Sequence, residues 1–164
     1  MKKMLALFLS LLMLFSCTAS LAEAIEITYE GTWVQFEDGF ELYLPSEWVQ
    51  YEVPQENVAK GIFYAAGSAD ATKICMIGWS AMEAALTIDE LQARMVATYP
   101  TAAVQNFGNA DLVCYTDEAN NMLVALALDA TEPGFYAFMF SPCDDVVFTD
   151  LASQIVTTIR NSAE

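Results

Sequence analysis

Thr32-Trp33-Val34-Gln35-Phe36-Glu37-Asp38-Gly39-Phe40-Glu41-Leu42-Tyr43-Leu44 is the stretch that sets the fold class. Two short apolar-rich runs flank Glu37-Asp38-Gly39, and an Asp-Gly pair supplies the positive φ that a tight hairpin turn needs. In the second run Phe40, Leu42 and Leu44 fall on one face, the period of a half-buried strand. Pro45 stops that strand, and Trp48 follows in Pro45-Ser46-Glu47-Trp48.

Working outward, residues 49–59 are polar, contain Pro54 and read as a connection with one short helical turn. Residues 61–66 and 73–79 are strands joined by the turn Gly67-Ser68-Ala69-Asp70. The second is apolar on both faces, as a central strand is. Thr87-Ile88-Asp89-Glu90 is a capping box, in which the Thr hydroxyl accepts from a free N–H and Glu90 reaches back. Ile88, Leu91, Met95 and Tyr99 then recur at helical spacing until Pro100. Strands are expected near 104–107, 112–116, 122–128 and 135–140, with Asp117-Glu118-Ala119-Asn120-Asn121 turning between the second and third. A last helix is expected from Asp145 to Arg160. Its buried stripe is Val147 or Phe148, Leu151, Ile155 and Ile159, with Arg160 at the negative end of the helix dipole. Strands, helix, strands, helix, with short turns and no long βαβ alternation, give an α+β class with a mainly antiparallel sheet. Central strands that are apolar on both faces require helical cover on both sides.

The N-terminus has the parts of an export signal: Lys2 and Lys3, an apolar run from Met4 to Phe15, and small residues suited to cleavage after Ala22 or Ala24. Twelve apolar residues are too few for a spanning helix, which needs about 20. Within the same segment Leu14-Phe15-Ser16-Cys17 resembles the lipobox of bacterial lipoproteins, with Phe15 bulkier than that pattern. Cys17 is thus either a lipidation site or part of a discarded signal. Residues 1–24 are read as the signal and residues 25–164 as one domain. Export, with or without a lipid tether on Cys17, puts the protein outside the cytoplasm, secreted or in the cell envelope.

The chain holds 22 acidic and 6 basic residues. Removing Lys2, Lys3 and Glu23 leaves 21 against 4, a net charge of −17. Such a surface repels a phosphate backbone, so nucleic acid is not an expected partner. A bare anionic membrane is not either, and contact with a membrane is expected only through a lipid on Cys17. With 55% hydrophobic residues the chain is far from the composition of a disordered one. There is no histidine. That rules out Ser-His-Asp triads, Cys-His pairs and His-based zinc sites. Cys75, Cys114 and Cys143 are odd in number and widely spaced, which fits either one bridge plus a free thiol or three buried thiols.

Gly39-Phe40-Glu41-Leu42-Tyr43-Leu44-Pro45-Ser46-Glu47-Trp48 resembles the opening of PsbP-like and Mog-type domains, where an alternating strand ends in Pro-x-x-Trp. Residues 134–142, followed by the helix to Ile159-Arg160, resemble the close of the same domains. The resemblance implies an α/β/α sandwich around an antiparallel sheet. It also implies a protein-binding module, as in photosystem accessory subunits and a Ran-binding factor, with no active site to carry over.

Glu37-Asp38, Asp117-Glu118 and Asp144-Asp145 have oxygen ligands to offer calcium. None has the spacing of a dedicated loop, and each stands where turns or helix starts favour Asp and Glu. Trp33, Trp48 and Trp79 are expected in core or half-buried packing, and Met76, Met95, Met122 and Met139 at core-like positions. No catalytic, metal or cofactor residue stands out. The expectation is an exported or surface-tethered non-catalytic module, binding an envelope or extracellular protein or a small ligand. The alternative is an extracellular enzyme using carboxylates or a metal. An exposed apolar patch would mark the first, and several acids converging in one pocket the second.

Overall fold

The computed structural model describes residues 25–108 and 110–161. The expected signal and Cys17 fall outside the described residues. In chain order the elements are β1 (Gly31–Gln35), β2 (Phe40–Pro45), β3 (Val49–Gln50), α1 (Gln55–Val58), β4 (Ile62–Gly67), β5 (Ile74–Ala81) and α2 (Ile88–Val96). They continue with β6 (Ala103–Asn106), β7 (Asp111–Asp117), β8 (Met122–Leu128), β9 (Gly134–Ser141), α3 (Val146–Thr157) and β10 (Arg160–Asn161). Seven strands form one sheet in the order β3-β4-β5-β9-β8-β7-β6, and β1, β2 and β10 form a smaller one. Every strand pairing among the described residues is antiparallel.

The first hairpin turns where its sequence says it should. Gly39 has φ +83°, and the Phe36 N–H donates to the Phe40 carbonyl at 2.9 Å. The hairpin lies across the large sheet rather than extending it. Phe40, Leu42 and Leu44 join Cys75, Ile77, Phe138 and Phe140 in one core cluster. Phe36 meets Tyr64 edge-on at 5.0 Å, and Phe40 meets Phe138 edge-on at 6.0 Å.

Helix α2 begins with the predicted box. Glu90 N–H donates to Thr87 Oγ1 at 3.3 Å, and Thr87 N–H donates to Glu90 Oε2 at 2.8 Å. Leu91 is the one buried residue of this helix, seated over Val113, Val124 and Leu126 on the sheet face opposite the first core. Strand alternation separates the two cores cleanly. Leu112, Cys114, Ala125, Phe138 and Phe140 point one way, Val113, Val124 and Leu126 the other.

Helix α3 begins where expected and ends earlier. It is capped by Asp145, whose Oδ1 accepts from the N–H groups of Val147 and Phe148. It stops at Thr157, three residues before Arg160. The hydroxyls of Thr157 and Thr158 donate back to the carbonyls of Gln154 and Ile155, which occupies acceptors the helix end leaves free. Arg160 is therefore not at the helix dipole. It sits on β10, beside Glu41 of β2 at 2.5 Å and over the Trp33 ring at 3.5 Å. The buried stripe is Phe148, Ala152, Ile155 and Val156 with Gln154, whereas Leu151 and Ile159 are only partly buried and Val147 is 74% exposed. The alternation of four underestimates the drift of a 3.6-residue helix over three turns. Gln154 is satisfied: its Oε1 accepts from Thr28 N–H and its amide donates to Asp150.

Two further expectations change. Trp33, expected in core or half-buried packing, is 43% exposed, because Tyr43 and Arg160 cover only part of its ring. Met95, Met122 and Met139 pack against the second core cluster as core-like positions should, yet they and Met76 are only half-buried. All four lie on the face of the large sheet away from α3 or on α2 itself, where cover is incomplete.

Candidate functional site

That incomplete cover leaves an apolar hollow on the sheet. On this face α1 packs against β4, and α2 packs against β6 and β7, with Leu91 reaching Val124 and Leu126 of β8. Between them β5, β9 and the start of β8 carry no helix. Register places Met76 of β5 opposite Met139 of β9, and Gly78 opposite Ala137. The small pair makes a depression walled by the methionines and Ile62, a hollow of about 380 Å³. It continues past Ile62, Met76 and Asn57 into a second hollow of about 230 Å³ beside Tyr51 and Pro54, with Glu52 at its edge. In the other direction Asn120 connects it to a third hollow, beneath Tyr99 and beside Glu118. The result is a trough crossing the sheet, floored by apolar groups and rimmed by Asn57, Lys60, Ser80 and Asn120. Thioethers on a half-wet floor adapt to varied apolar shapes. The floor carries no titratable group, so this surface can hold a ligand without acting on it chemically.

On the opposite face two hollows hold reactive groups. One, of about 500 Å³, opens between α3 and the strands of the β6 end, with Cys114, Leu123 and Phe140 below and Val146, Thr149 and Ser153 above. Burial pushes the Cys114 thiol up to about 12, so it stays protonated and poorly nucleophilic near neutral pH. Cys75 is raised further by complete burial. Cys143 is raised by partial burial and by the nearby Asp144 charge, and its Sγ lies 3.1 Å from Asn121 Oδ1. All three are free thiols.

The other hollow, of about 300 Å³, gathers Asp38, Asp129 and Glu132 around Trp79 and Tyr136. It is the place where carboxylates come nearest to converging. Burial works against the Asp129 charge, but donors from Thr131 N–H, Thr131 Oγ1, Glu132 N–H and Trp79 Nε1 outweigh it and hold the carboxyl below its ordinary value. Tyr136 is pushed up to about 12 by burial and by the charges of Asp38 and Asp129. An ionised Asp129 engaged by four donors serves its turn and Trp79; it has no proton to give near neutral pH. Gly134 is required here, since a Cβ on it would lie 2.7 Å from the Trp79 ring.

The acidic pairs named from sequence are structural where they are engaged. Asp117 is buried and accepts from the Asn120 backbone and side chain. Asp144 accepts from Asn121 Nδ2 at 3.0 Å, and Asp145 caps α3 and lies 3.8 Å from Lys73. Asp38 lines the Trp79 hollow, next to Glu37 in the hairpin turn. Among the described residues no three Cys, Asp or Glu side chains converge to hold a metal ion. No described helix is long and apolar enough to cross a membrane. Sequence reasoning placed the methionines in the core and so missed the trough. Strand alternation does set Met76 and Met139 on one face, but the gap above them depends on where the short helices land.

No protein-family model matches the chain, and no curated protein matches its sequence. Solved structures similar in fold include two bacterial ones. One is a crystal structure from Bacteroides thetaiotaomicron VPI-5482, with TM-score 0.51 and 15% identity over 76% of this chain. This chain spans only 46% of that one. The other is the solution structure of cyanobacterial PsbP (CyanoP) from Synechocystis sp. PCC 6803, with TM-score 0.56 and 12% identity, covering 77% of this chain and 89% of that one. At these identities the likeness concerns fold alone. It supports a PsbP-like, mixed fold with a mainly antiparallel sheet, and gives no support to the Mog-type half of the resemblance.

Proposed function

We propose that this protein is an extracytoplasmic, non-catalytic binding module, and that the trough between α1 and α2 is where it takes its ligand. In this reading the layers form an α/β/α sandwich whose outer face is left open over β5 and β9. The observation that carries the proposal is the Met76–Met139 and Gly78–Ala137 floor, an apolar hollow whose methionines are only half-buried at the middle of a seven-stranded sheet. Exposed apolar surface at the centre of a sheet is costly unless something covers it. The ligand is another envelope or extracellular protein, because the trough is long, shallow and apolar rather than a deep small-molecule cavity. Export rests on Lys2-Lys3 and the apolar run after them, and any membrane tether rests on Cys17.

Two measurements test this reading. Intact mass of the native protein should show loss of the first 16, 22 or 24 residues, with an added lipid mass only if the chain begins at Cys17; retention of Met1 in a membrane fraction would overturn export. Immobilised protein should retain a partner from envelope extract that an Ala137→Arg variant, filling the depression, does not retain. Equal retention by the two would remove the trough from the account.

A further inference from the structure

On the face away from the trough, α3 packs on β2 and β9, and the hollow of about 500 Å³ opens beside it over β7 and β8. That volume falls within the roughly 300–1,000 Å³ of small-molecule sites. Strand register explains the depth. Cys114 of β7 stands opposite Ala125 of β8, two small side chains, and the next pair along β8 and β9 is Leu123 with Phe140. This floor is apolar, with Thr116 at its edge. The roof is polar in one sense only. Val146, Thr149, Asp150 and Ser153 fall at helical spacing on one side of α3, away from the buried Phe148, Ala152 and Ile155. A hydroxyl has a single proton to donate. Thr149 Oγ1 donates its proton to the Val146 carbonyl at 3.0 Å, and Ser153 Oγ donates to the Thr149 carbonyl at 2.9 Å. Both oxygens are left as acceptors. The Asp150 carboxylate accepts from the Gln154 amide at 2.9 Å through Oδ2, which leaves Oδ1 to accept. With no basic side chain among the described residues of the lining, these groups call for a ligand head that donates. An ammonium brings three donors and a positive charge, where a hydroxyl brings one donor and no charge. The charge of the chain, −16, favours the same sign.

We propose that this hollow is a second binding site, independent of the trough, and that it takes a small molecule made of an apolar body and one primary ammonium. The body lies on Cys114, Leu123, Ala125 and Phe140, and the ammonium donates to Thr149 Oγ1, Asp150 Oδ1 and Ser153 Oγ. A carboxylate or phosphate in its place would meet acceptors and a like charge.

The test uses the protein expressed with its own leader and titration calorimetry with tryptamine, indolepropionate and ethylindole. These share one ring system and carry an ammonium, a carboxylate and no charged group. Tryptamine should bind at least about tenfold more tightly than indolepropionate, with ethylindole between them. Asp150→Asn, at an exposed site and still able to accept from Gln154, should weaken tryptamine about tenfold and leave ethylindole unchanged. Ser153→Leu, which fills the hollow from the roof, should abolish binding of all three. Thr149→Leu serves the same purpose if thermal melting shows that Ser153→Leu is not folded. On isotope-labelled protein, tryptamine should shift the amides of Cys114, Thr116, Leu123 and Ser153 and leave Met76 and Gly78 in place. Ala137→Arg, which blocks the trough, should bind tryptamine as the parent does, so the fate of the trough and the fate of this site are read separately. Equal affinity for tryptamine and indolepropionate, or no effect of Asp150→Asn on tryptamine, overturns the ammonium. Binding of ethylindole alone, lost in Ser153→Leu, overturns the ligand class while the hollow stands as a site. No binding of any probe by the parent, or undiminished binding by folded Ser153→Leu and Thr149→Leu proteins, overturns the site itself.

Discussion

Thr87 shows how much one residue can carry. Its side chain and backbone share two reciprocal bonds with Glu90, and they start the one helix that covers the β6–β7 end of the sheet. Thr87→Ala should cost about 0.5–2 kcal/mol in chemical denaturation, and no change would mean another group caps α2. The box was readable directly, because its chemistry is local in sequence. Asp70 works in the same local way. Ser68 and Thr72 donate to it at 2.7, 2.9 and 3.2 Å and hold its carboxyl down to about 2, from an ordinary 3.8. A lowered folded value means that the contribution is whole above about 3.8 and is lost as pH falls toward about 2. Asp70→Asn should therefore melt below the parent at pH 7 and converge with it near pH 2; a constant gap across that window would contradict this role. Trp33 and Arg160, by contrast, were misread. Their contact joins positions far apart in sequence, and no local pattern encodes it.

At the scale of elements, α3 closes one face of the large sheet with four buried apolar side chains, Phe148, Ala152, Ile155 and Val156. Phe148 and Ile155 are fully buried against the hairpin strand β2 and strand β9, and Phe148 meets Phe140 edge-on at 6.5 Å. Phe148→Ala should cost about 3–5 kcal/mol and Ile155→Ala about 2–5 kcal/mol. Val147→Ala, on the same turn but 74% exposed, should stay within about 0.5 kcal/mol. If the three cost alike in urea unfolding, the helix does not pack as described. Deleting Thr149 onward should leave the face wet and unfold the chain. The hydrophobic period named this helix and most of the strands within a residue or two. It did not show the exit at Thr157, because that end is set by Thr157 and Thr158 hydroxyls competing for carbonyls and by a strand partner over a hundred residues away.

For the molecule as a whole, the decisive fact is a mismatch between sheet and helices. A nine-residue α2 is about 14 Å long and α1 is a single turn, whereas seven strands span about 29 Å. The sequence shows strands that are apolar on both faces, which led to the expectation of full cover; helix positions, set by long-range packing, leave Met76, Ala137 and Met139 at the centre only half-buried. The acidic surface has a simpler role. Asp117, Asp144 and Asp145 are engaged by Asn120, Asn121 and the start of α3. Melting in chelator and in calcium should therefore coincide, since only a ligand that prefers the folded state raises stability. A clear upward shift with calcium would reopen Asp144 and Asp145 as ligands. The central claim is that the hollow over β5 and β9 is the binding surface, and chemical-shift mapping on isotope-labelled protein tests it most directly. Titration with the partner retained from envelope extract should move the amides of Met76, Gly78, Met122, Ala137 and Met139 and leave Val146, Thr149 and Ser153 in place. Shifts clustered instead on Val146, Thr149 and Ser153, or no shifts along β5 and β9, would contradict the account.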